Sequence, residues 1–188
     1  TVGISGVAQA GPLQSQTVDA VVTSGKQDKK KAGPLTTFTI NVDTQYDGSF
    51  PFTGKANNTK VDFPKDWSFF TTGLPTCSES TITGTTEAAL AACGPAQVGS
   101  GGARLAGPLP GVTAVVTAFN GTPAGGLPRV LLHSRVGALS STSVLIGTLR
   151  PGPGGPYGKT LDVVVPILDG GFVITHFDTT IPKKVVKK

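Results

Sequence analysis

The chain has only two cysteines, Cys77 and Cys93, and they bracket its one convincing helical stretch. Both lie in a segment rich in turn residues, and a bond between them would close a single loop. In the chain-entropy model, closing a loop of roughly 15 residues contributes about 3 kcal/mol to stability. We therefore predict a disulfide that closes an insert over about residues 74–102, and with it an oxidising compartment. The alternative is a pair of free, buried thiols.

The insert carries the start and stop signals of one short helix. Thr85 or Gly84 can cap its N-terminus, and Glu87 falls in the first turn, where a carboxylate is favoured. Gly94 follows as a stop signal at the C-terminal end. We expect this helical insert to cover one end or edge of a β-structure.

Outside the insert, short apolar stretches are cut by glycine and proline, of which the chain has 26 and 15. In the stretch LTTFTINVDT, Phe38, Ile40 and Val42 alternate with polar residues, which indicates a half-buried strand of an antiparallel sheet. About nine or ten such strands without alternating helices predict an all-β fold, an antiparallel β-sandwich or jelly roll. We expect a single domain over residues 1–188, with a lysine-rich tail at residues 182–188.

Three dipeptides are typical of tight turns: Asp47-Gly48, Asn120-Gly121 and Asp169-Gly170. The last of them lies between the strand-like stretches KTLDVVVPIL and FVITHFDTTI. We therefore predict that these two strands form a hairpin.

The net charge of +5 comes from two local lysine clusters without aromatic residues. The clustered residues are Lys26, Lys29, Lys30 and Lys31, and Lys183, Lys184, Lys187 and Lys188. Nucleic-acid binding normally shows a basic face with interleaved aromatics, so no nucleic-acid partner is predicted, whereas an anionic cell-wall polymer stays open. No apolar run approaches about 18 residues, so no transmembrane segment is predicted. The sequence shows no signal peptide. If the protein is secreted, we expect this sequence to be the mature form.

Several patterns invite a catalytic interpretation, and each is incomplete. The segment from Gly152 to Thr160 resembles a phosphate-binding loop, but its prolines lack the N–H groups that hold phosphate. His176 and Asp178 share one face of a strand and, with Asp162 as a cross-strand partner, would form part of a hydrolase triad. No G-x-S-x-G motif presents a serine to them.

Metal and cofactor sites are not predicted either. His133 shares a strand face with Arg135, which favours an outward sheet face over an anion site. The two histidines are too far apart in sequence for zinc spacing, and the aspartates lack the alternating pattern of a calcium loop. We predict no cofactor, no metal and no catalytic residue.

Aromatic residues concentrate in one region and suggest a sugar-binding surface. The candidates are Trp67, Phe69 and Phe70, with Tyr46. Aromatic clusters are more often core packing than binding platforms, so core packing is favoured here.

The N-terminal segment is a candidate for self-association because it reads as a terminal, glycine-bearing strand. Its residues are Thr1, Val2, Gly3, Ile4, Ser5, Gly6, Val7 and Ala8. Our leading hypothesis is a non-catalytic, exported structural or cell-surface protein that assembles through strand edges into a filament or surface layer. The alternatives are a carbohydrate or cell-wall binding module and a secreted hydrolase.

A series of short motifs carries a resemblance to a known group of proteins. They are F-P-K-D-W, L-P-T-C-S, C-G-P-A-Q-V-G-S-G, T-A-F-N-G, T-L-D-V-V-V-P and V-I-T-H-F-D, within residues 63–180. The chain resembles uncharacterised exported, β-rich proteins of actinobacterial type, in which the second cysteine precedes a G-S-G turn and an F-N-G turn follows. The resemblance implies export and a secreted or cell-surface role, and it brings no catalytic residues. Such proteins often continue beyond the lysine-rich segment into another cysteine-containing hairpin.

Overall fold

The computed structural model describes residues 2–9, 14–27, 34–46, 51–52, 57–69, 71, 73–166 and 168–182. In this part of the chain, ten strands join one sheet, and their bounds are β1 (Val2–Gln9), β2 (Gln14–Gln27), β3 (Pro34–Tyr46), β4 (Asn58–Pro64), β5 (Gln97–Ala106), β6 (Val112–Ala124), β7 (Leu127–Val136), β8 (Ser141–Gly154), β9 (Tyr157–Val164) and β10 (Val173–Ile181). The helix α1 (Thr86–Cys93) lies between short 3₁₀ segments at Glu79–Ile82 and Gly94–Ala96.

The sheet is one antiparallel layer that curls on itself. Its strand order is β1-β2-β3-β10-β5-β6-β7-β8-β9-β4. Although β3 and β4 are far apart in this order, the ring centroids of Phe38 on β3 and Phe63 on β4 are 5.5 Å apart. Two halves of the sheet therefore face each other across an apolar interior. The prediction of an all-β antiparallel fold with one short helix is confirmed, and the facing layers belong to one continuous sheet.

Central strands bury both of their faces, which explains why their sequences do not alternate. On β6, Val116 and Ala118 face the curled interior and are fully buried, and Phe119 is fully buried in a second cluster outside it. Strands covered on both sides read as nearly continuous apolar runs. The run from Val116 to Gly121, which is buried without alternation, therefore marks the part of β6 that lies under the insert.

The predicted turn at Asn120-Gly121 is wrong, because both residues lie inside β6. The backbone of Gly121 pairs instead with Cys77, and the Asn120 side chain donates a hydrogen bond to the Pro75 carbonyl at 3.0 Å. The hairpin turns five positions further on, at Gly125 and Gly126, which both have positive φ. An Asn-Gly pair that suits a turn is thus used to dock the insert on the sheet.

The expected G-S-G turn after the second cysteine is also wrong, since Gly99, Ser100 and Gly101 belong to β5. A Cβ atom on Gly101 would lie 2.0 Å from the carbonyl oxygen of Asp178 on β10. Glycine inside a strand often marks such a close backbone approach. These glycines therefore let β5 and β10 pair closely.

The predicted hairpin across Asp169-Gly170 does not form. The strand before it, β9, pairs with β8 and β4, whereas β10 pairs with β3 and β5. The segment at Asp169–Gly171 is a 3₁₀ turn that carries the chain from one half of the sheet to the other. The third predicted turn, Asp47-Gly48, lies outside the described residues.

Candidate functional site

The disulfide and the helix of the insert are confirmed. Cys77 and Cys93 are bonded, with their Cα atoms 5.7 Å apart. Thr85 caps α1, because its hydroxyl accepts a hydrogen bond from the Ala88 N–H at 3.3 Å. The pKa of Glu87 lies below its usual range because its carboxylate accepts hydrogen bonds from its own backbone N–H and from Thr85. The carboxylate thus occupies the helix N-terminus, where negative charge is favoured.

The insert covers the outer face of the sheet at β6, β7 and β8. Ile82 of the insert and Phe119 of β6 are fully buried in one cluster, which also contains Leu131 and both cysteines. At the edge of this contact, Glu79 forms an ion pair with Arg129 on β7 at 3.6 Å. The insert is therefore a lid on the sheet exterior, held by apolar packing, a β-bridge and one ion pair.

His133 lies on the outer face of the sheet, as expected, but the insert covers it, so it is not exposed to solvent. The residue is fully buried, and its Nε2 lies 3.1 Å from the carbonyl oxygen of Gly84. A carbonyl only accepts, so Nε2 donates, and the Thr142 hydroxyl donates to the same oxygen at 2.8 Å. In the described structure, Nδ1 of His133 has no hydrogen-bond partner. The imidazole thus serves to dock the insert.

The second histidine, His176, is the centre of a polar cluster on the outer face of β10. Its Nδ1 lies 2.7 Å from Asp43 on β3, and its Nε2 lies 3.5 Å from Asp178. Arg104 on β5 reaches the same Asp43 oxygen at 4.0 Å. His176 and Asp178 therefore lie side by side on one strand face, as predicted. The second carboxylate at the imidazole, Asp43, was not predicted from the sequence. The imidazole lies between two carboxylates, and the cluster connects side chains of three strands.

Asp162, the third residue of the hydrolase hypothesis, lies in a different network on β9. It accepts hydrogen bonds from Asn58 on β4 at 2.5 Å and from Arg150 on β8 at 3.1 Å. The hydrogen bond from Asn58, aided by Arg150, holds its pKa below the usual range, although partial burial opposes this shift. Asp162 thus ties the edge strand β4 to the sheet.

A pH-dependent stability follows from this carboxylate. A depressed pKa in the folded state contributes stability above the unfolded pKa of about 3.9, and the contribution is lost as the pH falls through the folded value. We expect Asp162→Asn to cost about 1 kcal/mol at pH 7, near the upper end for partly exposed pairs, and to cost less at a pH below the unfolded pKa, where the stabilising charge is progressively lost. Urea unfolding at both pH values checks this, with Asp66→Asn in the exposed turn after β4 as the control. An equal cost at both pH values would contradict it.

The candidate glycan-binding aromatics fall into two places. Trp67 and Phe69 pack with Phe63, with ring centroids 5.7 Å and 4.7 Å from it, and Trp67 also meets Phe38 edge-on. Tyr46, at the other end of β3, contacts Phe52 instead. Phe70 lies outside the described residues. Trp67 and Phe69 thus belong to an aromatic cluster that joins β3 to β4, while Tyr46 lies apart from it.

The two edges of the sheet differ in the features that protect an edge from pairing. At one edge, β4 carries Lys60, Asp62 and Pro64, and its pairing with β9 shifts register before Pro64. At the other, β1 has the sequence VGISGVAQ and pairs with β2 over eight residues without a register shift. Charges, proline and irregular pairing are the usual means of blocking an edge. The strand β1 therefore presents a regular, uncharged edge.

Comparisons of this chain with protein-family models, curated proteins and solved structures found no match. Within the described residues, the one α-helix is too short to cross a bilayer. The fold and the sites are therefore interpreted from their own geometry.

Proposed function

We propose that this is a non-catalytic protein that acts by self-association through its open sheet edge. The observation that carries the proposal is the contrast between β4, with its lysine, aspartate and proline, and β1, an uncharged strand whose only partner among the described strands is β2. One side of β1 presents backbone N–H and C=O groups as a template for another strand. A second copy of the chain is the partner that always carries a matching strand.

The pairing we propose is antiparallel, between β1 of one copy and β1 of another. Such a contact is related by a two-fold axis, so it satisfies both open edges at once. It joins two ten-stranded sheets into one continuous sheet. Growth into a filament or surface layer would need a further contact, for which the charged β4 edge is poorly suited.

A secreted or cell-surface location is part of this proposal. The Cys77–Cys93 bond supports it, because disulfides persist mainly in oxidising compartments. The resemblance to exported actinobacterial proteins points the same way. An extracellular structural component needs a lasting contact with other molecules, and the β1 edge offers one.

The proposal is tested by placing a charge on β1. At high concentration, light scattering should give the wild-type protein the molar mass of a dimer of 19.0 kDa chains. The Val7→Lys variant should raise the dissociation constant of the pair by about tenfold or more, equivalent to about 1.4 kcal/mol.

A matched control is Val115→Lys, which adds the same charge at an exposed position of β6, a strand with neighbours on both sides. This variant should associate like the wild type. Circular dichroism establishes that all variants keep their β-structure. A wild-type protein that stays monomeric at every concentration, or equal association of Val7→Lys and Val115→Lys, would overturn the proposal.

A further inference from the structure

The interior of the curled sheet is not completely filled. Between its two halves lies a cavity of about 120 Å³. Most of its walls are apolar, and they include Val42 on β3, Leu132 on β7, Leu145 on β8 and Val163 on β9. A dry apolar cavity of about 150 Å³ is large enough to take up benzene. The interior is therefore of a size to hold a small apolar group.

The cavity is elongated along β3. Its lining includes every second residue of this strand from Phe38 to Tyr46, a distance of about 26 Å at about 3.3 Å per residue. A small volume spread over such a length makes a narrow slot. This shape suits a slender linear chain better than a fused ring system.

The two ends of the slot differ in polarity. At one end, Phe38 packs against Phe63 and Trp67, so this end is closed by aromatic rings. At the other end, Gln16 donates a hydrogen bond to Thr44 at 3.2 Å, and both residues are buried.

Further polar groups lie near this second end. The hydroxyl of Tyr46 donates a hydrogen bond to the Ile174 carbonyl at 3.2 Å. Asn57 lines the slot and is exposed, so the slot opens to solvent at this residue. The described residues that line the slot include no charged side chain. The slot is thus mostly apolar along its length, with Thr59 and Thr179 also in its lining, and it is neutral but polar at its mouth.

We propose that this slot binds the alkyl chain of a neutral single-chain amphiphile, such as a fatty alcohol or a monoacylglycerol. The alkyl chain lies along β3 towards Phe38, and an uncharged hydroxyl head group lies at the Gln16 and Thr44 end. A few polar groups at one end of an apolar pocket are the usual arrangement for fixing a ligand's orientation. A carboxylate head group would meet no cation among the described lining residues, so a fatty acid is disfavoured. This inference is independent of strand pairing at β1.

The protein carries its own reporter for this binding. Trp67 is the only tryptophan of the chain, and its ring centroid is 5.7 Å from that of Phe38, which lines the slot. We expect titration with 1-octanol to change Trp67 fluorescence saturably with one site per chain, and to raise the melting temperature. Octanoate, with the same alkyl length and a charged head group, should bind about tenfold more weakly or worse.

A matched pair of variants locates the site. Val163 lines the slot, whereas its neighbour Val164 is 56% exposed on the opposite face of β9. Val163→Phe should fill the slot and weaken 1-octanol binding by tenfold or more, and Val164→Phe should bind like the wild type. If Val163→Phe fails to fold, Leu145→Phe fills the same slot from β8.

Either of two results would overturn the inference. One is the absence of a saturable fluorescence change up to the solubility limit of 1-octanol. The other is equal binding by folded slot-filling variants and by Val164→Phe, which would place the alcohol elsewhere. Octanoate binding as tight as that of 1-octanol would overturn the assignment of a neutral head group.

Discussion

Replacing both cysteines, as Cys77→Ala/Cys93→Ala, is expected to lower the free energy of unfolding by about 3 kcal/mol. The bond closes the loop that contains α1, and without it the unfolded chain gains the conformational freedom of that loop. Both sulfurs also lie in the buried cluster between the insert and the sheet. Loss of the bond therefore loosens the packing over β6, β7 and β8 as well.

Denaturant unfolding with and without a reducing agent measures this effect. Wild-type protein under reducing conditions should unfold at nearly the same denaturant concentration as the double variant. The double variant itself should not respond to the reductant, which separates loss of the bond from other effects of the reagent. If neither reduction of the wild type nor the double substitution lowers the unfolding midpoint, the bond does not stabilise the fold.

Phe119→Ala is expected to cost about 3–5 kcal/mol, the range for truncating a fully buried phenylalanine. The side chain is completely buried between the insert and β6, where it packs with Ile82 and Leu131. Its removal leaves a cavity under the insert that the disulfide-bonded loop is too constrained to fill. This cluster is the apolar contact between the insert and the sheet.

Val115→Ala on the same strand is the matched control, because Val115 is 57% exposed. Its cost should stay within about 0.5 kcal/mol, as for most surface substitutions. Urea unfolding of both variants gives the two values. The cost of Phe119→Ala should also change when the cysteines are absent, since residues of one cluster do not act additively. A cost below about 1 kcal/mol would show that the insert does not pack on the sheet in this way.

Local sequence patterns predicted the features that depend on neighbouring residues. The alternation on β3 identified Phe38, Ile40 and Val42, all of which line the interior. The cap residue Thr85 and the two cysteines predicted the helix and its disulfide. The alternation and the helix cap are patterns of residues that are close in sequence. The disulfide was predictable because the chain has only two cysteines.

Features that depend on distant strands were not predictable in the same way. The partner of His176 is Asp43, 133 positions earlier, and nothing near either residue signals that β10 lies between β3 and β5. The Asn120-Gly121 pair was misread as a turn because the partner of Gly121 is Cys77, in the insert. The curl that forms the apolar slot likewise depends on contacts between β3 and β4.

Hydrogen exchange of individual β1 amides, followed by NMR as a function of protein concentration, tests self-association through this strand most directly. In a monomer, alternate amides of β1 face β2 and are protected, and those between them face solvent. We expect the solvent-facing amides of β1 to become protected as the concentration rises, while the exchange of β4 amides stays constant. Exchange in β1 that is the same at every concentration, or protection that appears in β4 instead, would contradict pairing through the β1 edge.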